Sequence, residues 1–153
     1  MACILPAQTK PPDIAALVRS ALGEGIVPYS AVKPVTADFN GDGQPDLAVV
    51  VDFNKKLTAW LKRGTVILNL DSPSLAPLRP DNDQHFCFGL LMLDNLLPAR
   101  KTLFYGCFTG WRFVPAPVLG AKGAALDLEM ETGVLLRLYN DGARYRTRVV
   151  RKN

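Results

Sequence analysis

Between Asp38 and Asp46 the chain reads DFNGDGQPD, which places three aspartates, an asparagine and two glycines in nine residues. Oxygen-bearing side chains recur at alternate positions, Asp38, Asn40 and Asp42, and return at Asp46, while Gln44 offers its backbone carbonyl. Gly41 and Gly43 allow a turn tight enough for those oxygens to converge. Calcium takes ~6–8 hard oxygen ligands at ~2.3–2.6 Å in a forgiving geometry, and this set with a water or two meets that demand. Magnesium asks for fewer protein ligands and a stricter octahedron, so calcium is the expected ion. Three carboxylates this close repel one another unless a cation joins them, which makes the ion structural before anything else. The loop is not an EF-hand. The bidentate glutamate of that motif falls here on Val49, and Asp46 runs into LAVVV, a strand rather than a helix. Without that glutamate the affinity should be weak and suited to calcium levels outside the cytoplasm.

Other residues capable of chemistry are sparse. His85 is the one histidine, and it has no partner at metal-ligand spacing and no nucleophile motif near it. Asp127, Glu129 and Glu131 could supply a glycosidase-like carboxylate pair, but they alternate with Leu126, Leu128 and Met130, which reads as the solvated face of a strand. Trp60, Trp111 and Phe113 could form a sugar or partner platform, though aromatic side chains at such positions usually pack in a core. Of the three cysteines, Cys87 and Cys107 each lie in an apolar strand-like run and could pair in an oxidising compartment, which spacing alone does not fix. Cys3 follows Ala2 as at the end of a lipoprotein cleavage site, while MACILPAQ lacks a basic region and a long apolar region.

The elements that must position these groups follow from periodicity. Ile14, Leu17, Val18, Ala21 and Leu22 fall on one helical face, with Asp13 at the start and Gly23 at the end, predicting a helix over 12–23. Strands are expected at Val35–Thr36, Leu47–Val51, Leu57–Leu61, Thr65–Leu70, Phe86–Leu93, Thr102–Tyr105, Trp111–Val114 and Leu126–Glu131. Leu47–Val51 is apolar throughout, as a strand buried on both faces would be. Asp71–Gln84 and Ala116–Gly123 read as loops. Residues 133–150 form a hairpin around Asp141–Gly142. A two-residue turn pairs Tyr139 with Arg144, Arg137 with Arg146 and Leu135 with Arg148, which gathers Arg137, Arg144, Arg146 and Arg148 on one face. Those arginines could hold carboxylates or phosphates of an anionic partner, or could simply be a solvated edge. The sum is an α+β fold: one N-terminal helix on a mostly antiparallel sheet of seven to eight short strands, in a single domain of 153 residues.

VTADFNGDGQPDLAVV resembles the FG-GAP/VCBS type of calcium-binding repeat, whose core is D-x-N-G-D-G-x-x-D-L followed by a strand. Asp38, Asn40, Asp42, Gln44 and Asp46 coincide with its ligand positions. The resemblance implies bound calcium. Such repeats usually recur to build propellers, but this chain carries one copy, and PDNDQ at Pro80–Gln84 lacks the glycines of a second. The layout is similar to small bacterial proteins with a single loop of this kind, which are mostly exported, so a periplasmic or secreted location is expected.

Composition narrows the function classes. The net charge is +4, and residues 137–153 carry five arginines and a lysine against Asp141 alone. This permits an acidic partner, but no nucleic-acid recognition motif accompanies it. No apolar run reaches the ~18–20 residues of a membrane span. Two expectations stand: a calcium-stabilised, non-enzymatic envelope module that binds a protein or anionic polymer, or a small hydrolase acting on a glycan or acidic substrate.

Overall fold

The computed structural model describes residues 12–53, 57–79 and 87–152. His85, Cys3 and the PDNDQ segment lie outside them. Helix α1 spans Ile14–Leu22. Asp13 caps it by accepting a hydrogen bond from the Ala16 N–H at 3.1 Å, and Gly23 at φ 86° ends it. Strands β1 (Val27–Pro28), β2 (Val35–Ala37) and β3 (Asp46–Asp52) follow. Next come helix α2 (Leu57–Lys62) and strands β4 (Leu68–Asn69), β5 (Phe88–Leu93) and β6 (Lys101–Gly106). The remaining strands are β7 (Phe108–Val114), β8 (Ala125–Met130), β9 (Leu135–Asn140) and β10 (Tyr145–Arg151).

The fold is α+β, but its ten described strands form two sheets rather than one. The first runs β1-β3-β5-β6-β4, with β2 also on β3, and is antiparallel except for the β4–β6 pair. The second is the meander β10-β9-β8-β7. Residues Leu47–Val51 of strand β3 are apolar because both of its faces are covered. Leu47, Val49 and Val51 pack with Val18 and Leu22 of α1 and with Leu57 and Trp60 of α2. Ala48 and Val50 pack instead in the layer between the sheets, with Leu126, Leu128 and Leu138. The alternating side chains of one strand thus join a helix layer, a sheet and a second sheet.

Four expectations need correction. Leu57–Leu61 is helix, not strand, because Leu57, Trp60 and Leu61 share a helical face and Trp60 is buried in the core. Of Thr65–Leu70, only Leu68–Asn69 pairs as a strand, parallel to β6. The stretch after Leu70 is a loop through residue 79, but one anchored by buried Leu75 and Leu78. The hairpin pairs Tyr145 with Asn140, Arg146 with Tyr139 and Arg148 with Arg137, two residues away from the expected register. A four-residue turn, Asp141–Arg144, replaces the two-residue one, because Asn140 and Asp141 side chains bind the N–H groups of Gly142, Ala143 and Arg144. A slip of two preserves which face each side chain takes, but it puts Arg144 in the turn.

Register also explains the disulfide between Cys87 and Cys107. Phe88 pairs with Gly106, so the preceding and following residues lie opposite each other. No helix among the described residues is long and apolar enough to cross a membrane.

Candidate metal centre

The acidic loop joins β2 to β3 and is held at both ends. Phe39 is 1% exposed, lies in the layer between the sheets and meets Phe113 edge-on at 6.2 Å. From the β7–β8 connection the Ala124 N–H donates to the Asp38 carbonyl at 2.9 Å, and the Lys122 N–H ties that connection to the Asn140 carbonyl of β9 at 2.8 Å. The backbones of Gly41 and Lys122 come so close that a side chain on Gly41 would overlap the Lys122 carbonyl, and Gly41 also has φ 80°. A Cβ on Gly123 would likewise strike the Asp38 carbonyl. The loop is therefore a joint between the two sheets, a role that spacing alone did not reveal.

Within the loop the side chains organise the backbone. Asp38 accepts from the Gly41 N–H at 2.7 Å and the Gly43 N–H at 2.8 Å. Asn40 accepts from the Asp42 N–H at 3.1 Å, and Asp42 accepts from the Gln44 N–H at 2.8 Å. Asp46 is 0% exposed. Its two oxygens take the N–H groups of Phe39 (2.8 Å), Asn40 (3.1 Å) and Asn95 (2.8 Å). No lysine or arginine pairs with Asp38, Asp42 or Asp46 among the described residues.

Among the same residues, no group of three or more His, Cys, Asp or Glu side chains is gathered to hold a metal. The hydrogen bonds above supply the reason, since the carboxylates are turned to the loop's own N–H groups. Acceptor capacity nonetheless remains. A carboxylate has about four lone-pair sites, so Asp38 retains some, and Asp42 Oδ2 accepts nothing among the described residues. With the Asn40 amide oxygen and the Gln44 carbonyl, the donor set is all hard oxygen and fits calcium.

The structure adds two residues that the sequence pattern did not reveal. Asp94 follows β5, and Asn95 donates its N–H to Asp46. Burial raises the Asp94 pKa; the hydrogen bond from the Tyr145 hydroxyl at 3.0 Å and Arg100 oppose the rise, while the Asp46 and Asp42 charges add to it. Burial and the Asp94 charge in turn push the Tyr145 phenol far above its ordinary value. Asn95 has φ 55°, a strained position, and its Oδ1 is buried without a partner among the described residues.

The other candidate residues are spread elsewhere. Asp127 lies in the outer row of the second sheet but is covered there rather than solvated. It is 1% exposed and receives Arg137 at 2.7 and 2.9 Å and Arg112 at 3.0 Å. Register causes this, because Arg112, Asp127, Arg137 and Arg148 occupy one row across four strands. Burial alone would raise the Asp127 pKa, but the two guanidiniums outweigh it and hold the carboxyl below its usual range. An acid so held cannot serve as a general acid near neutral pH. Glu129 and Glu131 are exposed. Arg146 pairs with Asp141, and Arg148 donates to the Leu119 carbonyl and lies 5.1 Å from the Tyr139 ring centre. Trp111 packs against the inter-sheet layer, and Phe113 is partly exposed beside it.

Comparison with protein-family models, with curated proteins and with solved structures finds no match to this chain.

Proposed function

We propose that this chain is a calcium-stabilised, non-enzymatic binding module of the cell envelope or of secreted material. One observation carries the reading: a loop with three aspartates, one of them wholly buried, has no cationic side chain among the described residues to balance it. Calcium held by Asp38, Asn40, Asp42, the Gln44 carbonyl and Asp46 would supply that charge. Because the loop joins the two sheets, the ion would stabilise their junction. The disulfide is compatible with an oxidising compartment, where such bonds persist.

The partner side of the proposal rests on the outer row of the second sheet. Asp127 pairs with Arg112 and Arg137 in a row that also holds Arg148, so the row remains positive, and the Arg112 side chain is 72% exposed. Such a surface suits a carboxylate- or phosphate-bearing protein or polymer. Calorimetric titration with calcium tests the first half, with saturable binding expected for the wild type and none for Asp42→Ala. Retention on an anionic matrix tests the second. Arg112→Gln with Arg148→Gln should elute at lower salt while remaining folded, and unchanged elution would leave the row without a partner role.

A further inference from the structure

At one open end of the inter-sheet layer lies a cavity of about 360 Å³. Tyr29, Phe88, Phe108 and Trp111 line it. The Tyr29 and Phe88 rings are 4.5 Å apart between centres, and Phe88 and Phe108 are 6.2 Å apart. Tyr29, Phe88 and Trp111 are only half-buried, so the cluster is not closed over as a core would be. Among the described residues one charged side chain, Glu131, lines the space. Its backbone N–H is fixed by the Cys107 carbonyl at 2.8 Å, and no lysine or arginine pairs with it among the described residues. Asp71 adds negative charge nearby, since repulsion from Glu131 contributes, after burial, to its raised pKa.

We propose that this cavity binds a small quaternary-ammonium cation, such as a trimethylammonium head group, between its aromatic faces, with Glu131 opposing the charge. Aromatic rings attract a cation through their electron-rich faces, most strongly where water is thinned, and several rings about one space form the usual recognition site for methylated ammonium groups. A neutral apolar ligand would find the same walls but gain nothing from Glu131. A sugar would want several hydrogen-bonding side chains, and besides the Tyr29 hydroxyl and the Trp111 indole N–H only Glu131 and Thr109 supply them among the described residues. The site draws on neither the calcium loop nor the arginine row, so it stands or falls apart from the function proposed above.

Choline is the probe, and 3,3-dimethylbutan-1-ol, its uncharged isostere, is the control. The readout is the NMR signal of the Trp111 indole N–H, assigned with Trp111→Phe, with the Trp60 signal as internal reference. Choline should shift Trp111 saturably and leave Trp60 in place, and the isostere should bind at least ~5-fold more weakly. Tyr29→Leu keeps an apolar wall and should weaken choline but not the isostere. Glu131→Gln should weaken choline ~3-fold with no change in thermal stability. Absence of a saturable shift, equal binding of the isostere, or saturation of the same signal by a neutral methyl glycoside instead would overturn the proposal.

Discussion

Asp46 and Asp127 are both sealed from solvent, at 0% and 1% exposure, yet they are satisfied by different chemistry. Asp127 receives two guanidiniums from neighbouring strands, so its charge is balanced within the protein. Asp46 receives three backbone N–H groups, which satisfy its hydrogen bonding but carry no net charge. A buried carboxylate of the first kind is complete, and one of the second kind leaves its neighbourhood short of a cation. Asp38 and Asp42 deepen that shortage, whereas Asp94, whose pKa burial raises, has Arg100 at 3.8 Å. The outer row of the second sheet thus carries its own positive charge, and the inter-sheet loop has no cationic partner among the described residues.

The largest expected effect tests the Asp46 side of this contrast. Asp46→Ala leaves three N–H groups without an acceptor, one buried and two part-buried, and at about 1–3 kcal/mol for each unsatisfied group the loss should be roughly 3–9 kcal/mol by denaturant titration. A loss below about 1 kcal/mol would mean that water replaces the carboxylate and that the joint is looser than described. On the other side, Arg137→Met leaves Asp127 with only the exposed Arg112. Stripping one partner from a buried pair typically costs about 3–5 kcal/mol, and Arg137→Met with Asp127→Leu should recover much of it.

Acid sensitivity sharpens the contrast with a smaller effect. The folded pKa of Asp127 lies below its ordinary value of roughly 3.9, so its contribution is fully present above that value. It is lost as pH falls through the lowered folded pKa. Asp127→Asn should therefore flatten the acid limb of the stability curve measured by melts at graded pH. An unchanged limb would show that Asp127 titrates as an ordinary surface acid.

These two carboxylates also show what the sequence could and could not disclose. The loop spacing, the start of α1 and the doubly buried β3 were all readable, because each depends on residues near one another in the chain. The alternation around Asp127 located its face, yet it could not say that Arg112 and Arg137, 15 and 10 residues away, cover it. Asn95 is 49 residues from Asp46, and no local pattern connects them. The hairpin was legible to the correct face but not to the correct pairing, since side-chain alternation repeats every two residues and cannot distinguish a slip of two. The helix at Leu57–Lys62 was missed because six residues are too few for periodicity to separate helix from strand. That the strands form two sheets depends on which edges meet, which local pattern does not encode.

The proposed calcium ion would supply the positive charge that the β2–β3 loop lacks among the described residues. The most direct measurement is a pair of thermal melts, with millimolar calcium and with chelator, on wild type and Asp42→Ala. At a calcium concentration ~100 times the dissociation constant the ion contributes about 2.7 kcal/mol, so the wild-type midpoint should rise by ~5–10 °C over the chelated sample. Asp42→Ala, which removes a ligand but no buried hydrogen-bond acceptor, should melt at one temperature in both conditions. Coincident wild-type melts would contradict the account and leave Asp46 as a buried carboxylate that backbone N–H groups alone suffice to hold.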